Sequence, residues 1–124
     1  MFIKSWRNVQ MKTRLTHVRA NVKNLQKSIE WYENVIGFAA EAPYPSENPV
    51  YVSFEFEEGA CFSIMVDEKP SLGRYNFVVD DVDILWEKLK YKVEIVEPIF
   101  DTPYGTRKFT IKDLDGNELG FCRQ

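Results

Sequence analysis

A single histidine, His17, stands in an alternating stretch whose other same-parity residues are Arg19 and Asn21. An imidazole titrating near neutral pH can ligate a metal, act as a general base or line a cavity wall, and one histidine without a second leaves all three open. The same polar parity continues through Tyr51, Ser53 and Glu55, then Cys61, Ser63 and Met65, then Arg74 and Asn76, Lys108 and Thr110, and finally Glu118, Gly120 and Cys122. Arg19, Arg74 and Lys108 are suited to an anionic group. Tyr51 and Tyr104 are suited to stacking on a flat ligand. Cys61 and Cys122 have no adjacent base to make a nucleophile of either. The run Asp113-Leu114-Asp115-Gly116 has calcium-loop chemistry, but its glycine comes too early for an EF-hand and a hairpin turn accounts for it.

These positions are set by two stretches that read as copies of one unit, 57 residues apart at His17 and Arg74, at Val22 and Val79, and at Gly59 and Gly116. Each alternates as a strand and then takes a helical spacing, with Leu25, Ile29, Tyr32 and Ile36 in the first copy and Val82, Leu85, Trp86 and Leu89 in the second. Asn24 and Asp81 are the expected helix caps, and Gly37 stands where a left-handed residue ends the first helix. Phe38 to Ala42 reads as a short strand. Pro43, Pro45 and Pro49 make the following segment a loop, because each lacks an amide donor. Alternation returns at Tyr51 to Phe56 and turns near Glu58-Gly59 into Cys61 to Val66. In the second copy, Val93 to Ile99 precedes a turn at Pro103-Tyr104-Gly105 and a hairpin around Asp115-Gly116-Asn117.

The opposite parity is apolar: Val18, Ala20 and Val22; Val52, Phe54 and Phe56; Phe62, Ile64 and Val66; Tyr75, Phe77 and Val79; Phe109 and Ile111; Leu119 and Phe121. That face belongs under the helices. A chain of 124 residues can bury about two-thirds of its unfolded surface in one core. Two cysteines make no disulfide framework, and no apolar run approaches a membrane span, so a cytoplasmic home is expected with no membrane partner. A net charge of -3 with both signs dispersed gives no stripe for phosphate backbones, so no nucleic acid partner is expected. Residues 1–12 read as an N-terminal extension, with Met11 a second candidate start, or as a short element over a sheet edge.

The segments Leu15-Thr16-His17-Val18, Trp31-Tyr32-Glu33-Asn34-Val35-Ile36-Gly37-Phe38, Phe77-Val78-Val79-Asp80-Asp81-Val82-Asp83, Pro103-Tyr104-Gly105-Thr106-Arg107 and Asp113 to Leu119 together resemble the vicinal oxygen chelate superfamily. It includes glyoxalase I, bleomycin-resistance proteins, fosfomycin-resistance enzymes and extradiol dioxygenases. The resemblance implies an α+β fold of two tandem βαβββ modules, 13–66 and 73–122 within one domain 13–124, whose mixed sheets form a cup with helices outside. Metal-dependent members place ligands on the first and last strands of each module. The corresponding residues here are His17, Arg74, Ser63 and Gly120. Catalytic zinc needs three protein ligands, and a fixed cation opposes a dication, so no metal or other cofactor is expected.

Two functions stay open. One is a metal-free protein of the bleomycin-resistance kind that sequesters a small, anionic or aromatic compound, its ligand meeting His17, Arg19, Asn21, Tyr51, Glu55, Ser63, Arg74, Asn76, Tyr104, Lys108 and Glu118. The other is an enzyme, a lyase, isomerase or dioxygenase with an irregular metal site such as His17, Glu55 and Glu118, or a metal-free catalyst using His17 with Glu118. Sheet edges that need covering, together with the family, lead to an expected homodimer.

Overall fold

The structure, a computed structural model, describes residues 11–123. The expected N-terminal extension lies outside them except for Met11 and Lys12, both exposed. Strand β1 (His17–Val22) leads to helix α1 (Leu25–Trp31), where the Asn24 side chain accepts the Lys27 amide as the cap required. The helix then widens into a π-helical turn, Tyr32–Ile36, ended by Gly37 at φ 95°. The short strand expected at Phe38 to Ala42 contracts to β2 (Ala39–Ala40), and pairing with the later strand returns only as an isolated bridge from Tyr44 to Tyr51, between Pro43 and Pro45. Strands β3 (Tyr51–Glu55) and β4 (Cys61–Val66) complete the first unit.

The second unit repeats this order with β5 (Arg74–Val78), α2 (Val82–Leu89), β6 (Glu94–Asp101), β7 (Arg107–Lys112) and β8 (Glu118–Arg123). Asp81 caps α2 by accepting the Ile84 amide. The result is two four-stranded mixed sheets with the orders β1-β4-β3-β2 and β5-β8-β7-β6. Register repeats as well as order. His17 pairs with Cys61 in the parallel β1/β4 ladder, and Arg74 pairs with Glu118 in β5/β8, so both partners advance by the same offset, 57 residues. Gly59 and Gly116 both turn at positive φ, 87° and 88°.

One apolar cluster spans both sheets. Ala20, Val22, Val52, Phe54, Phe62, Ile64, Phe109, Ile111, Leu119 and Phe121 are buried on the expected face beneath Leu25, Ile29, Val82 and Leu89 of the helices. Phe38 bridges the halves, its ring 5.7 Å from Phe54 and 5.3 Å from Phe77. Phe62 also meets Phe77, at 5.4 Å. Phe56 and Val66 depart from the expected pattern and are exposed, Phe56 just past the end of β3 and Val66 at the end of β4.

A buried polar clasp joins the halves at a second place. Tyr32 Oη donates to Asp113 Oδ2 at 2.7 Å, across 81 positions of sequence. The other Asp113 oxygen accepts the amides of Asp115 and Asn117, at 2.8 and 2.9 Å, and Asn117 Nδ2 donates to Oδ2 at 2.9 Å. Asn117 Nδ2 also reaches the Asn21 carbonyl, and Ser71 Oγ donates to Asn117 Oδ1. The Asp113 carboxylate is therefore consumed by its own hairpin and by Tyr32, which accounts for the calcium-like run without an ion. Burial, and then the Asp113 charge, hold the Tyr32 phenol well above its usual pKa.

Candidate functional site

The polar parity of β1, β4 and β3 forms the open face of the first sheet, the one turned away from the helices. Ser63 lies at its centre and is fully buried, its hydroxyl donating to the Val18 carbonyl at 3.2 Å. It is covered by two rings. His17 Nε2 lies 2.9 Å from Ser63 Oγ and 2.8 Å from Tyr51 Oη, and its single proton or lone pair serves one of the two fully, the tautomer deciding which. The two rings are inclined by only 21° with centroids 6.1 Å apart. Joined through Nε2 and Oη, the two near-parallel rings make one aromatic tile. Beside it, Arg19 Nη1 donates to the Met65 sulfur at 3.0 Å.

On the second sheet the equivalent positions form a different group. Arg74 Nη1 is 3.3 Å from Glu118 Oε1, and its Nη2 lies 3.9 Å from Glu97 Oε1 and donates to Thr110 Oγ1 at 3.1 Å. Thr110 is fully buried. The side-chain oxygen of Asn76 occupies the space over Gly120 where a Cβ would stand. Arg74 and Glu118 thus come together as the shared parity implies, whereas His17 belongs to the separate group on the first sheet.

The remaining candidates are dispersed. Asn21 serves the link between halves, its amide donating to Ser71 Oγ and its Nδ2 to the Lys69 carbonyl. Glu55 lines an open groove of about 530 Å³ with Glu41, Phe54, Phe56, Glu57 and Cys61, the last being the ladder partner of His17. Tyr104 is exposed in the β6–β7 turn, and Lys108 sits on β7 opposite Cys122 and Phe100. Glu97 was not legible as a site residue, because β6 shifts register on both sides of it and alternation fails there. Thr110 carried the right parity but no distinguishing signal.

The family's metal positions can be tested on these contacts. Ser63 is committed to Val18 and His17, Arg74 is a cation held by two carboxylates, and Gly120 has no side chain and no room for one. Among the described residues, no three His, Cys, Asp or Glu side chains gather closely enough to hold a metal ion, and His17, Glu55 and Glu118 do not converge. The residues do not fit a resident metal at these positions.

The repeated strand order, the shared register and the polar open faces define a class of paired-module proteins, and comparison with known sequences and structures identifies the class. A profile of the glyoxalase/bleomycin resistance protein/dioxygenase superfamily matches residues 14–121, and the chain belongs to that family. A probable trivalent organoarsenical cleaving enzyme of Bacillus subtilis (strain 168) is 35% identical over 115 residues, covering 85% of this chain and 76% of the relative. Among solved structures, TioX from Micromonospora sp. ML1 superposes with a TM-score of 0.77 at 20% identity, over 90% of this chain and 98% of its own. TnmS3, an antibiotic binding protein from Streptomyces sp. CB03234, gives a TM-score of 0.72 at 22% identity, over 92% and 98%. These last two likenesses share the fold. Among the described residues, no helix is long and apolar enough to cross a membrane.

Proposed function

We propose that this protein binds and sequesters a small molecule without a metal ion, on the open face of the first sheet, as a cytoplasmic homodimer. The observation that carries this reading is the occupation of all four family metal positions by the chain's own contacts: His17 by Ser63 and Tyr51, Ser63 by Val18, Arg74 by Glu118, Glu97 and Thr110, and Gly120 by Asn76. Structural likeness to an antibiotic binding protein supports it. The homodimer rests on β6, an edge strand with Ile95, Val96 and Phe100 exposed. Free Cys61 and Cys122 accord with a reducing compartment.

A second reading, an enzyme that uses His17, is favoured by the 35% identity to a relative described as a cleaving enzyme. Metal analysis of the purified protein, melting with and without chelator, and an unbiased stability screen of small compounds separate the two. Sequestration predicts no stoichiometric divalent ion, a melting temperature indifferent to chelator, and a hit that stabilises by about 2.7 kcal/mol at 100 Kd. One ion per chain, lost in a His17→Ala variant and required for stability, would overturn sequestration in favour of the enzyme. Light scattering at the monomer mass, 14.6 kDa, at micromolar concentration would remove the dimer.

A further inference from the structure

Two arginines on the open faces are candidates for receiving an anion, and their surroundings differ. Arg74 is ion-paired with Glu118 and Glu97 and bonded to Thr110, so its charge is already answered by two carboxylates. Arg19 contacts a thioether, and among the described residues no carboxylate lies within ion-pair distance of it. A neutral, weakly accepting sulfur leaves the guanidinium's charge and most of its five donors unmatched. Its position is set by the ladder. Arg19 pairs with Ser63, and Met65 pairs with both Asn21 and Tyr51, so an Arg19 side chain reaching Met65 brings its head to the Tyr51 side of the tile.

The tile supplies the other half of a recognition surface. His17 and Tyr51 are locked by their mutual hydrogen bond and by buried Ser63, so a ring stacking on them freezes little additional side-chain motion. His17 and Arg19 are two residues apart on one strand, about 6.6 Å along it. A ring on the tile therefore has the Arg19 side chain beside it on the same face of the sheet, where a carboxylate at the ring's edge can meet it.

We infer that the first sheet takes a flat aromatic carboxylate, its ring on the His17–Tyr51 tile and its anionic group on Arg19 rather than Arg74. The inference rests on the binding reading above and adds the chemical class of ligand and the cation that selects it. Glu118 and Glu97 would repel the same carboxylate from Arg74.

The test uses the full chain and three probes: 2-naphthoate, its neutral counterpart 2-naphthamide, and cyclohexanecarboxylate, which has the charge without the flat ring. Titration is followed by amide chemical shifts, which also report that each variant is folded. Naphthoate is expected to bind at least about ten-fold more tightly than either analogue, in line with a hydrogen bond to a charged group, with shifts centred on β1, β3 and β4. Arg19→Gln should bring naphthoate down to naphthamide, whereas Arg74→Gln should keep the preference within about two-fold. Equal binding of naphthoate and naphthamide, retention of the preference in Arg19→Gln, or its loss in a folded Arg74→Gln would overturn the assignment. If no naphthyl probe binds a protein that the unbiased screen does stabilise, the ligand class fails and the binding reading stands. A screen without hits removes both.

Discussion

Replacing Tyr32 by Phe removes one hydroxyl and leaves the ring, which packs 5.2 Å from Phe54 and 5.7 Å from Phe62, in place. The hydroxyl is one of four donors to the Asp113 carboxylate, so the variant leaves Oδ2 with Asn117 Nδ2 alone and Oδ1 with its two amides. Hydrogen bonds to charged groups contribute about 1.5–3 kcal/mol, and Asp113 is buried. Urea unfolding at pH 7 should therefore give an unfolding free energy lowered by that amount, read as a midpoint shifted down by that energy divided by m, with m unchanged. A second signature lies at alkaline pH. The Tyr32 pKa is raised in the folded state, so its contribution is fully present below about pH 10, the ordinary tyrosine value, and is lost as pH rises beyond it, because the unfolded chain releases this proton first. Above pH 10 the wild type should lose up to about 1.4 kcal/mol per pH unit through this group, and Tyr32→Phe should lose correspondingly less. A variant within about 0.5 kcal/mol of wild type at pH 7, with the same alkaline slope, would refute both the clasp and its role in stability.

Asp81→Ala removes the side-chain acceptor at the start of α2 and should destabilise by about 1 kcal/mol in thermal or urea unfolding, whereas Asp81→Asn should recover most of the loss. Gly120→Ala places a methyl where the Asn76 side-chain oxygen lies and should destabilise by about 1–3 kcal/mol, with Asn76→Ala in the same chain relieving part of it. A double variant no more stable than Gly120→Ala would show that Asn76 is not what fills that space.

Fold and site differed in how far the residues disclosed them. Alternation and cap chemistry are local, so β1, β4, β8, the Asn24 and Asp81 caps and the Gly37 terminus were legible from neighbouring letters. The π-helical turn at Tyr32–Ile36 was not, because helical spacing of apolar residues does not distinguish one winding from another over a single turn. Parity placed Arg74 and Glu118 on one face correctly, and the same logic failed at Glu97, where a bulge breaks the period of two. The Tyr32–Asp113 bond was invisible because nothing local couples residues that far apart. Parity also treated all open-face residues as equals, whereas pairing separates Arg74, already neutralised, from Arg19.

The two ladders keep one register while the residues displayed on them have diverged completely, His17 answering to Arg74 and Ser63 to Gly120. Side chains that point away from the helices contribute little to the apolar cluster, so mutation can rewrite that surface without threatening the chain's ability to fold. A gene carrying such a duplication holds two independently variable palettes on one frame. One can drift into new recognition while the other retains its older contacts, which gives this architecture a route to novelty that a single unrepeated sheet lacks.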